Sequence, residues 1–514
     1  MAPVETRNIL LITADQWRGD CLSALGHPCV QTPHMDALAA DGVVFRNHYA
    51  NCAPCGPGRA SLLTGMYMQN HRSVVNGTPL DARHTNIALE LRAAGYDPLL
   101  FGYTDTSLDP RRTPPEVLKL WGCEGILPGF KPVLNLANEV EPWTAELAAR
   151  GYKLTGRSYD VFNPVQNYPG AENRGRTFAP PIYKAEHSQT AFVTQKLIEH
   201  LSDCAAGWFA HVSYLRPHPP FIAPEPYNTM YDSREVPAPQ RAKTVDEQAQ
   251  QHPWLAHALG TSGQRYDGWQ QFNVDAHDYD EDTRQARATY YGLISKVDEY
   301  IGRVIAYLKD SGAYDSTLVI VTSDHGELLG DRWLFGKRGY FDSAFHIPLI
   351  VRDPRRAGDA TRGAIEDSFT EAVDIMPTIL DWRGLDVPRQ CDGRSLIPFC
   401  TSARAERWRE EVHWEYDFRD VESLVAERAL GIDSDQCTLN VIRDRQYKYV
   451  HFAGLPPLFY DLERDPHETQ NLADDPSYAR EMARYMSKML SWRMGNDERV
   501  LTGMKVTRGG VIGS

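Results

Sequence analysis

Cys52-Ala-Pro-Cys55-Gly-Pro-Gly-Arg59-Ala-Ser-Leu-Leu-Thr-Gly65 is the stretch around which the rest of the chain makes sense. Two cysteines this close raise a redox pair or a metal knuckle. Neither fits: no second C-x-x-C and no paired histidines follow at zinc-site spacing, and prolines and glycines crowd the pair. Cys55 alone remains. It is either a small buried residue ahead of a helix, the common fate of a free cysteine, or a reactive position with Arg59 one helical turn on.

At 514 residues the chain can bury a large core, as one big domain with a smaller one or as two comparable ones. It is 42% hydrophobic and 24% charged, an ordinary globular composition. A net charge of −14 argues against nucleic acid or an anionic membrane surface as partner, so an anionic substrate must meet a local cationic cluster. Met1 to Arg7 runs directly into Asn8-Ile-Leu-Leu-Ile12, too short for a secretory leader. No apolar run of about 18 residues predicts a membrane span. Nine scattered cysteines suit a reducing cytoplasm better than a disulfide framework.

Working outward, Asn8 to Thr13 reads as a buried parallel strand that delivers Asp15 and Gln16 at its C-terminal end, where open α/β sheets keep their chemistry. The plain alternative for Asp15 is a helix cap. Ala60 to Thr64 reads as a helix whose N-terminus faces an anionic site, His84 to Ala94 as a helix, and Pro98 to Tyr103 as another strand. Residues 110–186 are rich in Pro, Gly and Tyr and read as loops and short helices around the site. Thr190 to Leu201 is an amphipathic helix and Trp208 to Val212 a strand. His218 follows between prolines, either a stiff turn residue or a positioned proton donor. Residues 222–285 look like an insertion over the site's mouth or a structural cover. Arg284 to Leu308 is a long helix, and Thr317 to Thr322 the clearest strand, leading into Ser323-Asp324-His325-Gly326-Glu327.

Together these blocks resemble the sulfatase family of the alkaline phosphatase superfamily. Cys55-Gly-Pro-Gly-Arg59 matches Cys-x-Pro-x-Arg, the signature that directs oxidation of a cysteine to formylglycine. Ala14-Asp15-Gln16-Trp17-Arg18, with Thr32-Pro33-His34-Met35-Asp36, resembles the amino-terminal block, and Asp324-His325-Gly326 the second metal motif. The resemblance implies one divalent cation held by Asp15, Gln16, Asp324, His325 and the Cys55-derived diol. Gln16 stands where most of the family has Asp, which makes the site less negative and admits Mn²⁺ beside the usual Ca²⁺. It further implies that Arg59 is a fixed cation at the nucleophile, that Lys337 contacts the transferring group and that His218 protonates the leaving oxygen. The strand after Pro98 ends in Gly102-Tyr103-Thr104-Asp105-Thr106, where ordinary sulfatases carry a Gly-Lys-Trp-His block that grips sulfate. This end is similar to the phosphonate monoester hydrolase branch, in which Thr lies two residues after the Tyr; here Asp105 stands there. Tyr103, Asn76 and Thr104 or Thr106 are the expected pocket residues.

The expected fold is therefore α/β, an alkaline-phosphatase-like sandwich of a large mixed, mostly parallel sheet between helices. Residues 1–385 form the catalytic domain and 386–514 a smaller antiparallel-sheet subdomain with a terminal helix. The expected function is metal-dependent hydrolysis of phosphonate monoesters, and promiscuously of sulfate esters and phosphate mono- and diesters. An arylsulfatase with the same mechanism is the alternative; a two-metal phosphomonoesterase or a catalytically inactive binding protein of the same fold ranks below it. The implied partners are a small anionic ester, a formylglycine-generating enzyme and further copies of the chain.

Overall fold

A computed structural model describes residues 7–122, 124–136, 140–154, 158–172, 174–262, 279–401 and 407–513. Its centre is an eight-stranded sheet of β1 (Asn8–Ala14), β2 (Val43–Tyr49), β4 (Pro98–Gly102), β5 (Lys131–Asn135), β6 (Phe209–Tyr214), β7 (Thr317–Thr322), β8 (Leu349–Arg352) and β9 (Ala364–Glu371). The order is β5-β4-β6-β1-β7-β8-β2-β9, and β8 alone runs antiparallel to its neighbours. Along β1 and β7 every residue is buried, which is why these segments read as continuous apolar runs rather than alternating ones. A parallel sheet covered on both faces needs no polar side. The Tyr279–Asp310 helix and the Gln189–Ser202 helix, which pack on each other, contribute their buried faces to one hydrophobic cluster with β1, β4, β6 and β7.

The parallel registers keep the strand ends level: Thr13 pairs with both Ser213 and Thr322, and Phe101 with Val212. The C-terminal ends of β4, β6, β1 and β7 therefore open side by side. Over them lies the Cys55–Thr64 helix, buried at every residue and closed by Gly65 in the left-handed region. Gly58 lets it approach. A Cβ there would stand 2.9 Å from the Asp324 carbonyl and 3.2 Å from that of Cys52.

The second sheet, in the order β13-β12-β11-β10-β3, comprises β3 (Cys52–Ala53), β10 (Val412–Asp417), β11 (Thr438–Arg443), β12 (Tyr447–Phe452) and β13 (Leu458–Asp461). β3 immediately precedes the Cys55 helix and pairs parallel with β10, Cys52 against Glu415 and Ala53 against Tyr416. The C-terminal sheet thus holds the stem of the catalytic segment. One hydrophobic cluster runs through both sheets, from Ile9 and Leu11 to Trp414, Val441 and Val450.

Of the two insertions, one differs from expectation and the other takes one of its two expected forms. Residues 110–186 are more than loops, since Lys131–Asn135 extends the large sheet as its edge strand. Weak periodicity and an interior proline hid that strand, and edges tolerate both. Among the described residues of 222–285 the cover is structural: Trp254 packs on Tyr340, Tyr416 and Phe418, and His252 stacks on Phe452. Trp269 lies outside the described residues. No helix described is long and apolar enough to cross a membrane.

Two stability predictions follow from this packing. Gly58→Ala should lower unfolding stability by about 1–3 kcal/mol in denaturant titration, because the helix must lift from the Asp324 carbonyl; an unchanged midpoint would refute the close approach. Asp298, on the long helix, accepts the His34 and Met35 amides and so caps the Pro33–Ala40 helix. Burial raises its carboxyl from 3.8 to about 7, against those two amides. Its contribution is full below the unfolded value and is lost as pH rises through the folded one. Asp298→Asn should flatten the fall of Tm between pH 4 and 7 read by calorimetry.

Candidate active site

The turn after β1 places Asp15 and Gln16 in the crevice. Gln16 sits at φ 69°, a conformation that non-glycine residues adopt only when held. Tyr290 holds it, its hydroxyl donating to the Gln16 carbonyl at 2.6 Å and accepting the Arg18 amide at 3.0 Å. Across the sheet, β7 ends in Ser323-Asp324-His325. Asp15, Cys55, Asp324 and His325 bring one donor atom each within 4.8 Å of one another, all buried. Cys55 Sγ, the position a formylglycine oxygen would take, lies 3.2 Å from His325 Nε2 and 3.8 Å from Asp15 Oδ1. His325 Nδ1 donates to the Gly326 carbonyl at 3.0 Å, which assigns the tautomer with its Nε2 lone pair facing the cluster. Two carboxylates, an oriented imidazole and a neighbouring amide form a hard, mixed O/N donor set that fits Mn²⁺ or Ca²⁺.

Arg59 joins the carboxylates. Its Nε donates to Asp324 Oδ2 at 2.9 Å and its Nη2 to Asp15 Oδ2 at 3.1 Å, while Nη1 reaches Ser213 Oγ at 2.7 Å and the Tyr103 carbonyl at 3.2 Å. Among the described residues its side-chain hydrogen bonds all go to these groups, and none goes to Cys55. Burial would raise the Asp15 carboxyl, but His218, Arg59, His325 and Lys337 together carry it far below the usual carboxylate range. The Tyr103 hydroxyl donates to Asp15 Oδ2 at 2.7 Å, and burial followed by the Asp15 charge keeps that phenol protonated.

A pocket of about 310 Å³ opens on this cluster, lined by Asp15, Cys55, Asn76, Tyr103, His218 and Lys337 among others. Lys337 Nζ stands 3.2 Å from Cys55 Sγ and 2.9 Å from Gln16 Oε1. Glu327 sets that arrangement: it accepts from Gln16 Nε2 and takes the Leu329 and Gly336 amides at 2.9 and 2.5 Å, tying down the loop that carries Lys337. Asn76 Oδ1 accepts the Gly56 amide at 2.9 Å and so satisfies an orphan donor of the Cys55 helix. His218 Nδ1 donates to the Pro219 carbonyl at 2.8 Å, which fixes the ring where it lines the pocket. Arg216 holds the His218 and Pro220 carbonyls at 2.5 and 2.8 Å and lies over the Phe162 ring.

The expectation for Thr104 and Thr106 needs correction. Neither lines the pocket. The Thr104 hydroxyl donates to the Gly125 carbonyl and accepts the Leu127 amide, and that of Thr106 donates to the Thr104 carbonyl. The Thr104 hydroxyl pins the 125–127 segment to the strand end, and the Thr106 backbone amide adds a bond to the Gly125 carbonyl at 3.2 Å. Asp105, between them, faces the pocket instead, together with Glu124. Sequence reasoning also missed Ser213, Arg216 and Phe162. Ser213 ends an apolar strand beside Tyr214, the same signal that exposed Asp15; Arg216 and Phe162 carried none.

Comparison with known proteins agrees over the whole length. The sulfatase family model matches residues 7–385, and that of the N-sulphoglucosamine sulphohydrolase C-terminal region matches 330–494. The multifunctional alkaline phosphatase superfamily protein PehA of Trinickia caryophylli is 44% identical over 96% of this chain and 97% of its own. The crystal structure of the phosphonate monoester hydrolase of Agrobacterium radiobacter superimposes with a TM-score of 0.93 at 45% identity, covering 99% of each chain. An arylsulfatase of Clostridium perfringens is 27% identical over 98% of this chain and 97% of its own.

Arg59→Ala would leave Asp15 and Asp324 buried and facing each other without their cation. Metal-free protein should then lose about 3–5 kcal/mol in denaturant unfolding, with part recovered on adding Mn²⁺. A loss below about 1 kcal/mol, the size of an exposed pair, would show that Arg59 does not hold the site together.

Proposed function

This chain is a member of the sulfatase family and a hydrolase acting on ester bonds, and we propose that it cleaves phosphonate monoesters with a formylglycine made from Cys55. The observation that carries the reading is Tyr103. Its phenol, bonded to Asp15, stands at the strand end where the sulfate-gripping Lys and His of ordinary sulfatases would project. The site so offers fewer cations to the third terminal oxygen that a sulfate ester has and a phosphonate monoester lacks, and leaves room for an organic substituent in its place. The likeness to phosphonate monoester hydrolases along the whole chain supports the same conclusion.

The residues divide the work. Asp15, Asp324 and His325 would hold a divalent cation, with the Gln16 amide beside Lys337 as the further ligand, and the cation would supply positive charge to the nucleophile and to the transferring oxygens. Formylglycine, hydrated to a diol, supplies a nucleophilic oxygen and a second hydroxyl whose deprotonation frees the product by C–O cleavage. Burial, then the charge of Asp15, push the unmodified Cys55 thiol far up, and a protonated thiol is a poor nucleophile. Lys337 Nζ, beside the Cys55 position, stabilises the negative oxygens, and Arg59 keeps the two carboxylates in place. His218 gives the departing alcohol its proton from Nε2. Leu136, Val140, Phe162 and Leu215 line the same pocket and keep water from the organic group. The apolar side chains left exposed on the Ala479–Gly495 helix, Leu490 and Met494, support assembly of several copies.

The experiment is a peptide mass of the Cys55 segment followed by turnover. A loss of about 18 Da relative to the thiol, and a higher kcat/KM for a phenylphosphonate monoester than for an aryl sulfate, are expected. An intact thiol in active enzyme would end the formylglycine mechanism. A preference for the sulfate would make the chain an arylsulfatase, and no turnover at full metal occupancy an inactive relative. Cys55→Ala should abolish hydrolysis while metal binding stays measurable.

A further inference from the structure

The pocket is not uniformly cationic. Asp105 lines it at φ 49°, a backbone conformation that aspartate tolerates better than most side chains. Its side chain is 6% exposed, and among the described residues its carboxylate makes no hydrogen bond, interacting with its surroundings through charge alone. Glu124 lines the same pocket and raises Asp105 by its own charge. The chemistry proposed above uses neither residue.

A buried carboxylate without a hydrogen bond costs stability, and an acid beside the site of an anionic ester costs affinity. Both costs become gains if the ligand brings a positive charge of its own. The apolar walls, Leu136, Val140, Phe162 and Leu215, exclude water and so strengthen such a pairing. At the position where the resemblance expects a threonine hydroxyl, this chain has a carboxylate, and its neighbours Thr104 and Thr106 are both tied to backbone carbonyls. The hydroxyls of this strand end cannot serve the ligand in its place.

We propose that Asp105, seconded by Glu124, forms a cation subsite, and that the preferred substrates are zwitterionic monoesters carrying an ammonium group beside the tetrahedral anion. The anionic end of this ligand rests on the phosphonate reading above; the cationic end does not. Burial, then Glu124, raise the Asp105 carboxyl to about 7 although Arg59 and Lys337 oppose the rise, so no cation present balances this acid in full. An ammonium within reach would draw it down and hold it ionised.

Matched ligands test this. One is a phosphonate monoester bearing a trimethylammonium group, the other its neutral tert-butyl isostere; one pair carries the group on the retained organic part and a second pair on the leaving alcohol. Binding to the Mn²⁺-loaded Cys55→Ala protein is read by calorimetry, so turnover does not enter. The ammonium ester of at least one pair should bind at least about tenfold more tightly than its isostere. The pair that shows the preference assigns the side of the ester that faces Asp105. Adding Asp105→Asn, which keeps the side chain's shape, should bring that ratio close to one, and Glu124→Gln should lower it in part. Equal binding of both members in both pairs, or a ratio that survives both substitutions, overturns the subsite. Failure of every ester to bind would instead overturn the phosphonate reading. Tetramethylammonium, which has no anionic end, then decides the subsite alone: binding lost with Asp105→Asn supports it, and no binding overturns it.

Discussion

Asp15 and Asp324 leave adjacent strands of the same sheet and turn into one dry crevice, and like charges buried together repel strongly. The guanidinium of Arg59, bonded to both, makes the pair tenable. Much of the architecture follows from delivering that one cation. It must come from an element lying across the strand ends, hence the Cys55–Thr64 helix, and that element must lie close, hence the glycine against the Asp324 carbonyl. With Arg59 anchored, the first turn of the same helix is placed as well. Cys55 therefore stands among the donor groups because its neighbour one turn on is held by them.

A second set of constraints fixes the residues around this core. β3 pins the chain before Cys55 to the C-terminal sheet, so a sheet far along the sequence helps to orient Cys55. On the other side Glu327 links Gln16 to the loop that carries Lys337, and Lys337 returns to Gln16. Gln16 is thus held from three directions: by Tyr290 at its carbonyl, by Glu327 at its amide nitrogen and by Lys337 at its amide oxygen. An aspartate there could not donate to Glu327. The amide that lowers the negative charge of the cluster also completes this chain of hydrogen bonds.

The pocket beyond the cluster shows how one fold changes its ligand. Strand ends are level and rigid, so exchanging the side chains just after β4 alters what meets the substrate and leaves the donor set alone. Tyr103 occupies that position with a phenol bonded to Asp15, and Asp105 adds a charge of opposite sign to that of Lys337. The 110–186 insertion supplies the far wall through Glu124, Leu136, Val140 and Phe162. Specificity here is built from segments with little periodicity of their own.

The chain's own order of residues was enough to read the strands and the chemistry at their ends. Buried parallel strands are continuous apolar runs, and a polar pair after such a run marks the catalytic edge of the sheet, as at Asp15-Gln16 and Asp324-His325. The resemblance carried by Cys55 to Arg59 named the family, which local sequence can do because that motif is one contiguous segment. Three things were decided only by tertiary structure. Arg59 bonds the carboxylates, since a long side chain finds its partners among groups 44 and 265 residues away in the chain. Thr104 turns to the Gly125 segment and Thr106 back to the Thr104 carbonyl while Asp105 takes the pocket, since three consecutive residues at a strand end point in different directions set by backbone torsion. β3 belongs to the C-terminal sheet, since two residues have no periodicity to read and strand pairing is a long-range contact.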